Sequence, residues 1–135
     1  LGYRWIVHRP HPSMFRKVGL VVSTTAGAGL APTVKTMKNN LSFWGVRRIF
    51  TFKTAVQAAN WAGVKPEKRE IIQRKAAALA KKAVRAAKRI DKIPVPLFTR
   101  FFFGLMKMMN KGEGFSPRDH AYWKEQGWLE GKKPF

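Results

Sequence analysis

The 135-residue sequence predicts a mixed α/β fold that contains a parallel sheet. Three observations support this prediction: an apolar, β-branched run at 18–23, a helical pattern at 32–44 and a second strand-like run at 46–52. A strand, a helix and another strand within about 35 residues form a βαβ unit, in which the two strands lie parallel.

The first strand and the loop after it are the clearest part of this unit. Residues 18–23 (VGLVVS) form a nearly continuous apolar run, which is typical of a strand buried on both faces. Residues 24–29 (TTAGAG) are small and rich in glycine, and they predict a loop between the strand and the following helix.

The helix at 32–44 and the second strand follow. The apolar side chains of the helix recur at helical spacing, at Val34, Met37, Leu41 and Trp44. Pro32 suits the first turn of a helix, and Gly45 stands where helices usually end. Residues 46–52 (VRRIFTF) are rich in aromatic and β-branched side chains, which favours a strand.

Three more helices are predicted in the second half. The pattern from 66 to 90 has one apolar stripe, formed by Ile72, Ala76, Leu79, Ala83, Ala87 and Ile90. A second amphipathic helix covers 97–111, and its predicted apolar face consists of Phe98, Phe101, Phe102, Leu105 and Met109. Ser116 is a good cap for a short helix that begins at Pro117 and ends near Gly127.

The charge balance restricts the kinds of function. The chain has 27 Lys and Arg against 7 Asp and Glu, a formal net charge of +20, which favours nucleic acid, an anionic membrane or an anionic cofactor as partner. The first carboxylate is Glu67, so chemistry that needs paired carboxylates is excluded from the first half. The absence of cysteine excludes disulfides, thiolate metal sites and thiol catalysis.

The loop after the first strand is the main candidate site. Open parallel sheets bind ligands beyond the carboxyl ends of their strands. We therefore take as candidate ligand-binding residues Ser23, Thr24, Thr25, Ala26, Gly27, Ala28 and Gly29. The loop matches neither the dinucleotide fingerprint, because the third glycine is missing, nor the Walker sequence. A tight turn without any ligand is the alternative interpretation.

A second candidate lies in the basic and aromatic segment before the first strand. His8 and Arg9 could line a cofactor pocket, or they could belong to a surface turn fixed by Pro10 and Pro12. A metal at His8 and His11 is disfavoured, because no carboxylate or thiolate stands near them in the sequence.

Several segments occur together in a characteristic order: Tyr3-Arg4-Trp5, His8-Arg9-Pro10, Lys17 to Gly29, Phe43-Trp44-Gly45, Asn60-Trp61 and residues 122–128 (YWKEQGW). In this order and spacing they resemble the flavodoxin-like family of NAD(P)H-dependent FMN oxidoreductases. The resemblance covers nearly the whole chain and is most specific over residues 3–61.

The resemblance implies a fold, a cofactor and a reaction. The fold would be a three-layer α/β/α arrangement around a parallel sheet that binds FMN without a covalent bond. The loop Ser23–Gly29 would contact the isoalloxazine ring, largely through backbone atoms, and residues 4–11, His8 and Arg9 among them, would lie near the open face of the ring. Electrons would pass from NAD(P)H through the flavin to an acceptor. The absence of cysteine suits a reducing cytoplasm, and the apolar face at 97–111 leaves a position peripheral to a membrane open.

One part of the family pattern has no counterpart in this sequence. Family members carry an amino-terminal strand and a loop rich in Ser, Thr and Gly that holds the FMN phosphate. We therefore interpret residues 1–93 as the carboxy-terminal half of a flavodoxin-like domain and residues 94–135 as a helical extension. Without the missing half, we expect an inactive chain that binds FMN weakly or not at all and leaves apolar sheet surface open, since two strands rarely form a stable sheet alone.

The sequence leaves open what the predicted helices contact. The apolar face of 97–111 could pack on the body of the protein, on a second copy in a homo-oligomer or on a membrane surface. The rival to a flavoprotein is a basic binding module for nucleic acid or an anionic membrane. Nucleic acid is disfavoured, because the basic residues surround the helix at 66–90 and no nucleic-acid motif accompanies them.

Overall fold

The structure is a computed structural model that describes residues 4–112 and 116–135. Tyr3, which is part of the family resemblance, lies outside the described residues. The sheet consists of β1 (Val18–Thr25) and β2 (Arg48–Ala55), which pair in parallel from Val18 opposite Arg48 to Thr25 opposite Ala55. The predicted mixed α/β class with a parallel pair of strands is confirmed.

Four α-helices and two short 3-10 helices complete the described residues. The α-helices are α1 (Leu30–Phe43), α2 (Pro66–Lys88), α3 (Leu97–Met109) and α4 (Pro117–Glu125), and the 3-10 helices are Pro12–Arg16 and Ile90–Lys92. None of these helices is both long enough and apolar enough to cross a membrane.

The two faces of β1 are covered unequally. On one face a Cβ at Gly19 would lie 2.9 Å from Leu41 of α1, and the buried Val21 points the same way. On the other face Leu20 and Val22 are 46% and 49% exposed. The prediction that this strand is buried on both faces is therefore wrong, because α2, although it contacts both strands, leaves these side chains uncovered. The expectation of an open apolar sheet surface is confirmed.

The end of α1 is fixed by its predicted glycine. Gly45 has a φ of 86°, in the left-handed region, and the N–H of Val46 donates to the carbonyl of Leu41 at 3.0 Å. This is the hydrogen bond of a Schellman motif, which satisfies a carbonyl at the end of a helix. The ring of Phe15 lies so close that a Cβ on Gly45 would be 2.6 Å from it.

The main hydrophobic core lies away from the sheet. It joins the segment before β1 to α3, α4 and the residues after α4, and we call it the aromatic core: Ile6, Phe15, Phe103, Met106, Trp123 and Trp128. The rings of Phe103 and Trp123 stack with their centroids 4.8 Å apart. The first described residues therefore pack against the last ones, and the division at residues 93 and 94 stays a prediction.

The orientation of α3 differs in part from the predicted one. Its buried side chains are Thr99, Phe103 and Met106, whereas Phe101, which was predicted on the apolar face, is exposed. Arg100 and Lys107 mark the polar side of α3, but apolar side chains cover the rest of the helix, so the periodicity does not fix which of them are buried.

Candidate functional site

The candidate loop begins later than its sequence indicates. Ser23, Thr24 and Thr25 belong to β1, and only Ala26–Gly29 connects the strand to α1. The hydroxyl of Thr25 accepts a hydrogen bond from the N–H of Gly27 at 3.2 Å and donates to the carbonyl of Ala28 at 3.0 Å. Thr25 therefore holds the loop in a tight turn at the carboxyl end of β1.

The outer surface of this loop is open to a ligand. No atom lies within 4 Å of a Cβ built on Gly27 or Gly29, so a flat molecule could approach the backbone closely. Gly29 begins α1 with a φ of 89°, and Thr33 donates to its carbonyl at 3.0 Å. Among residues 4–112 and 116–135, no hydrogen bond to the N–H of Ala26 or Ala28 is found. These two groups can therefore donate to a ligand.

A second loop, which follows β2, faces the first across a cleft. The N–H of Val56 donates to the carbonyl of Thr25 at 2.8 Å and joins the two loops at the edge of the sheet. The cleft has a volume of about 470 Å³ and is lined by residues 24–26, 54, 56, 58–61, 64 and 72. This lining contains Ala, Val, Ile, Thr, Asn and Trp but no charged residue. Such a lining suits a largely uncharged, planar molecule rather than a phosphate.

The second loop is held by its own hydrogen bonds. Asn60 accepts from the N–H of Gly63 at 2.9 Å, and the guanidinium of Arg69 donates to the carbonyl of Val64 at 2.6 Å. The same guanidinium lies 5.9 Å from the ring centroid of Trp61, which is partly exposed at the cleft. Gln57 has a φ of 55°, an uncommon conformation for a residue other than glycine. Sequence patterns did not single out Gln57.

The structure does not bring His8 and Arg9 to this loop. The N–H of Ile6 donates to the carbonyl of Phe43 at 2.7 Å, at the end of α1 remote from the candidate loop. A helix of 14 residues such as α1 is about 20 Å long. The expectation that His8 and Arg9 share one ring-binding site with Ser23–Gly29 is therefore not met within this chain.

His8 and Arg9 instead bind a carboxylate. His8 Nδ1 lies 2.8 Å from Asp119 Oδ2, and Arg9 Nε lies 3.1 Å from Asp119 Oδ1. The Asp119 side chain is only 3% exposed. Trp123 donates its indole N–H to the carbonyl of His8, and Tyr122 donates to the carbonyl of Pro10 at 2.7 Å. These contacts attach the first segment to α4, which is a structural role.

Sequence reasoning missed Asp119 as a partner of His8 and Arg9. The motif Ser116-Pro117-Arg118-Asp119 indicated only the start of a helix, and that prediction is confirmed because the N–H of Asp119 donates to Ser116 Oγ at 3.3 Å. The ion pairs of Asp119 join residues that are 110 or more positions apart. Local spacing carries no signal for such a pairing.

Neither His8 nor His11 belongs to a metal-binding cluster. His11 Nδ1 accepts from the N–H of Ser13 at 3.3 Å and caps the 3-10 helix Pro12–Arg16. In the part of the chain that the structure describes, no group of three or more His, Asp or Glu side chains could hold a metal ion.

Comparison with protein-family models, with curated proteins and with solved structures gives no match to this chain. A functional assignment therefore depends on the geometry of the cleft and on the order of the sequence motifs.

Proposed function

We propose that this chain is the carboxy-terminal part of a flavodoxin-like, FMN-dependent oxidoreductase of the cytoplasm. The isoalloxazine ring would lie in the cleft beside Ala26–Gly29. The observation that carries the proposal is the position of this cleft. It lies beyond the carboxyl ends of two parallel strands, where open α/β sheets bind their ligands.

The shape and polarity of the cleft support a flavin ring. Of the loop residues, Ala26 lines the cleft, and Gly27 and Ala28 follow directly beside it. Gly27 leaves room for close approach, and the N–H groups of Ala26 and Ala28 would donate to the carbonyl groups at the polar edge of the ring. Thr24 and Thr54 belong to the same lining, and their hydroxyls could donate or accept hydrogen bonds. The uncharged lining fits the ring and offers nothing for the FMN phosphate, in agreement with the absence of the family's phosphate-binding loop from this sequence.

The uncovered face of β1 supports the proposal that an amino-terminal half of the same domain packs against this chain. Leu20 and Val22 expose apolar side chains on a strand whose pattern is that of a buried one. In the proposed three-layer fold an amino-terminal half would add strands beside β1 and helices over the faces of the sheet, and these would cover Leu20 and Val22. It would also bring the groups that bind the phosphate.

The bound flavin would transfer electrons from NAD(P)H to an acceptor, and the protein would position it. In this chain Thr25 would hold the loop at a fixed distance from the ring. Arg69 would keep Trp61 and the second loop in place at the opposite side of the cleft.

A titration with FMN tests the proposed site. The protein used is the chain extended by the amino-terminal half that the proposal expects upstream of Leu1, and binding is measured by the quenching of flavin fluorescence. Gly27→Val places a branched side chain where the ring would lie, and we expect affinity to fall at least about tenfold. Gly104→Val is the matched control, since no atom lies within 4 Å of its built Cβ either and it is on α3. Equal affinity of the two variants would contradict the site.

One observation favours a second candidate, a basic module that binds polyanions. No side chain of α2 is fully buried, and grooves of about 550 and 490 Å³ along this helix are lined mainly by Arg and Lys. Their basic residues are Arg48, Lys81, Lys82, Arg85, Lys88 and Arg89. This candidate predicts an affinity for polyanions that falls steeply with salt and does not depend on flavin.

A further inference from the structure

Helix α3 presents an unusually apolar outer surface. Among the described residues, the three most exposed large apolar side chains all belong to it: Leu97 at 79%, Phe101 at 65% and Met108 at 62%. Exposed apolar patches on a protein surface commonly mark an interaction site. This surface lies outside the flavin cleft, so it can act independently of the function proposed above.

These side chains form one straight stripe. With 3.6 residues per turn, positions 97, 101, 104 and 108 fall within an arc of about 60°. We call Leu97, Phe101, Gly104 and Met108 the exposed stripe. The opposite side of α3 is anchored, because Thr99, Phe103 and Met106 are buried. The helix therefore cannot rotate to hide the stripe.

The charges beside the stripe indicate its partner. Arg100 and Lys107 border one side of it, and α3 contains no acidic residue. A second copy docked antiparallel across a two-fold axis would bring the side of the stripe that carries Arg100 and Lys107 against the same side of its partner, with like charges together. An anionic lipid surface supplies the opposite charge, and the net charge of +20 attracts the protein to it from a distance.

We propose that α3 is an interfacial helix that seats the protein on an anionic phospholipid bilayer. Phe101 and its neighbours in the exposed stripe enter the boundary of the acyl chains, and Arg100 and Lys107 lie among the headgroups. The 13 residues of α3 span about 20 Å, less than the thickness of the hydrocarbon core, so the helix lies in the plane of the membrane.

Sedimentation with lipid vesicles tests this proposal without flavin. Vesicles of phosphatidylcholine with and without phosphatidylglycerol are compared at about 150 mM salt, where surface charges are partly screened. We expect the chain to sediment with the anionic vesicles only. The double variant Phe101→Ser/Met108→Ser should lose at least about tenfold in partition, because its charge is unchanged but its apolar stripe is removed.

The matched control is Met37→Ser, which removes an exposed apolar side chain from α1. It should bind as the unmodified chain does. If the double variant has lost its far-UV circular dichroism, Leu97→Ser serves instead, because Leu97 is the first residue of α3 and nearly all exposed. It should weaken binding with its helix content intact.

Three outcomes would overturn the proposal. Equal binding of the folded stripe variants and the unmodified chain would show that net charge alone attracts the protein to vesicles. Equal binding to neutral vesicles would show that Arg100 and Lys107 have no part in it. Absence of vesicle binding, together with a dimer that Phe101→Ser/Met108→Ser dissociates in light scattering, would assign the stripe to a second copy of the chain.

Discussion

The aromatic core and the two-stranded sheet bury their apolar side chains to very different extents. Ile6, Phe15, Trp123 and Trp128 are almost fully enclosed, whereas Leu20 and Val22 in the middle of β1 are about half exposed. The enclosed region joins segments from the two ends of the described chain, and the open region is the sheet that carries the candidate site. The sheet, which carries the candidate site, is thus the region whose apolar side chains are exposed.

This difference is what the proposed function requires. A sheet of two strands is rarely stable by itself, so β1 and β2 depend on α1, α2 and whatever else covers them. The aromatic core needs no further partner to exclude water. Substitutions in the two regions should therefore differ in their effect on stability, and adding the proposed amino-terminal half should change only the sheet.

The largest difference is expected between Phe103→Ala and Leu20→Ala. Phe103 is buried among other rings, so its removal leaves a cavity and should lower the free energy of unfolding by about 3–5 kcal/mol. Leu20→Ala should cost less than about 1 kcal/mol in this chain. Urea denaturation followed by tryptophan fluorescence measures both. Equal losses would mean that the sheet face is covered in solution.

The effect of Leu20→Ala also tests the proposal that an amino-terminal half covers β1. In the longer protein an amino-terminal half would bury Leu20, and the cost of Leu20→Ala should rise to about 2–5 kcal/mol. The cost of Phe103→Ala should not change. An unchanged, small cost for Leu20→Ala in the longer protein would count against an amino-terminal half that covers this face of the sheet.

The next largest effect on stability is expected from a comparison of two glycines. Gly45 and Gly29 both have positive φ, but only Gly45 has the ring of Phe15 where a Cβ would stand. Gly45→Ala should cost about 2–4 kcal/mol, from backbone strain and overpacking together. Gly29→Ala has only the strain and should cost about 1 kcal/mol. Thermal unfolding of the two variants checks the order, and a reversed order would contradict the contact of Phe15 with Gly45.

Removing the charge of Asp119 should have a moderate effect. Asp119→Asn keeps the shape of the side chain but weakens its hydrogen bonds with His8 and Arg9, and we expect a loss of about 1–3 kcal/mol. Since His8 and Arg9 are partly exposed, solvent limits the loss. FMN affinity in the longer protein should stay within about twofold of the unmodified one. If Asp119→Asn were stable but bound FMN more weakly, His8 and Arg9 would belong to the FMN site after all.

The smallest effect concerns Tyr122 at high pH. Burial raises the pKa of its hydroxyl above the usual value of 10.0, so the folded state favours the protonated phenol that donates to Pro10. The unfolded chain loses this proton first, and the stabilisation is therefore lost as the pH rises from about 10 through the folded-state pKa. Denaturant midpoints between pH 9 and 11 should fall less steeply in Tyr122→Phe. Equal slopes would mean that the hydroxyl is exposed to water.

The sequence predicted the secondary structure well because its signals are local. Pro66, Ser116 and Gly45 mark ends of helices by their own backbone chemistry, and the structure confirms each of them. The end of β1 was predicted two residues too early, because Thr24 and Thr25 suit a strand as well as a loop. Their pairing with Thr54 and Ala55 of β2 extends the strand to Thr25.

The sequence patterns did not predict contacts between distant segments. The aromatic core depends on which apolar side chains of α3 face inward, and a helix that is apolar over most of its surface does not indicate this. The pairing of His8 and Arg9 with Asp119 joins the two ends of the chain, and only the folded structure shows it. The candidate loop, in contrast, was found because a strand, small residues and a helix follow one another directly.

The visible spectrum of the longer protein tests the central claim most directly. The coding sequence upstream of Leu1 should specify a strand followed by a loop rich in Ser, Thr and Gly, and the protein that includes it should be yellow when purified. We predict flavin absorption bands at about one FMN per chain, which NAD(P)H bleaches. A folded, colourless protein that FMN does not stabilise would contradict the account and leave the basic surface of α2 as the leading functional feature.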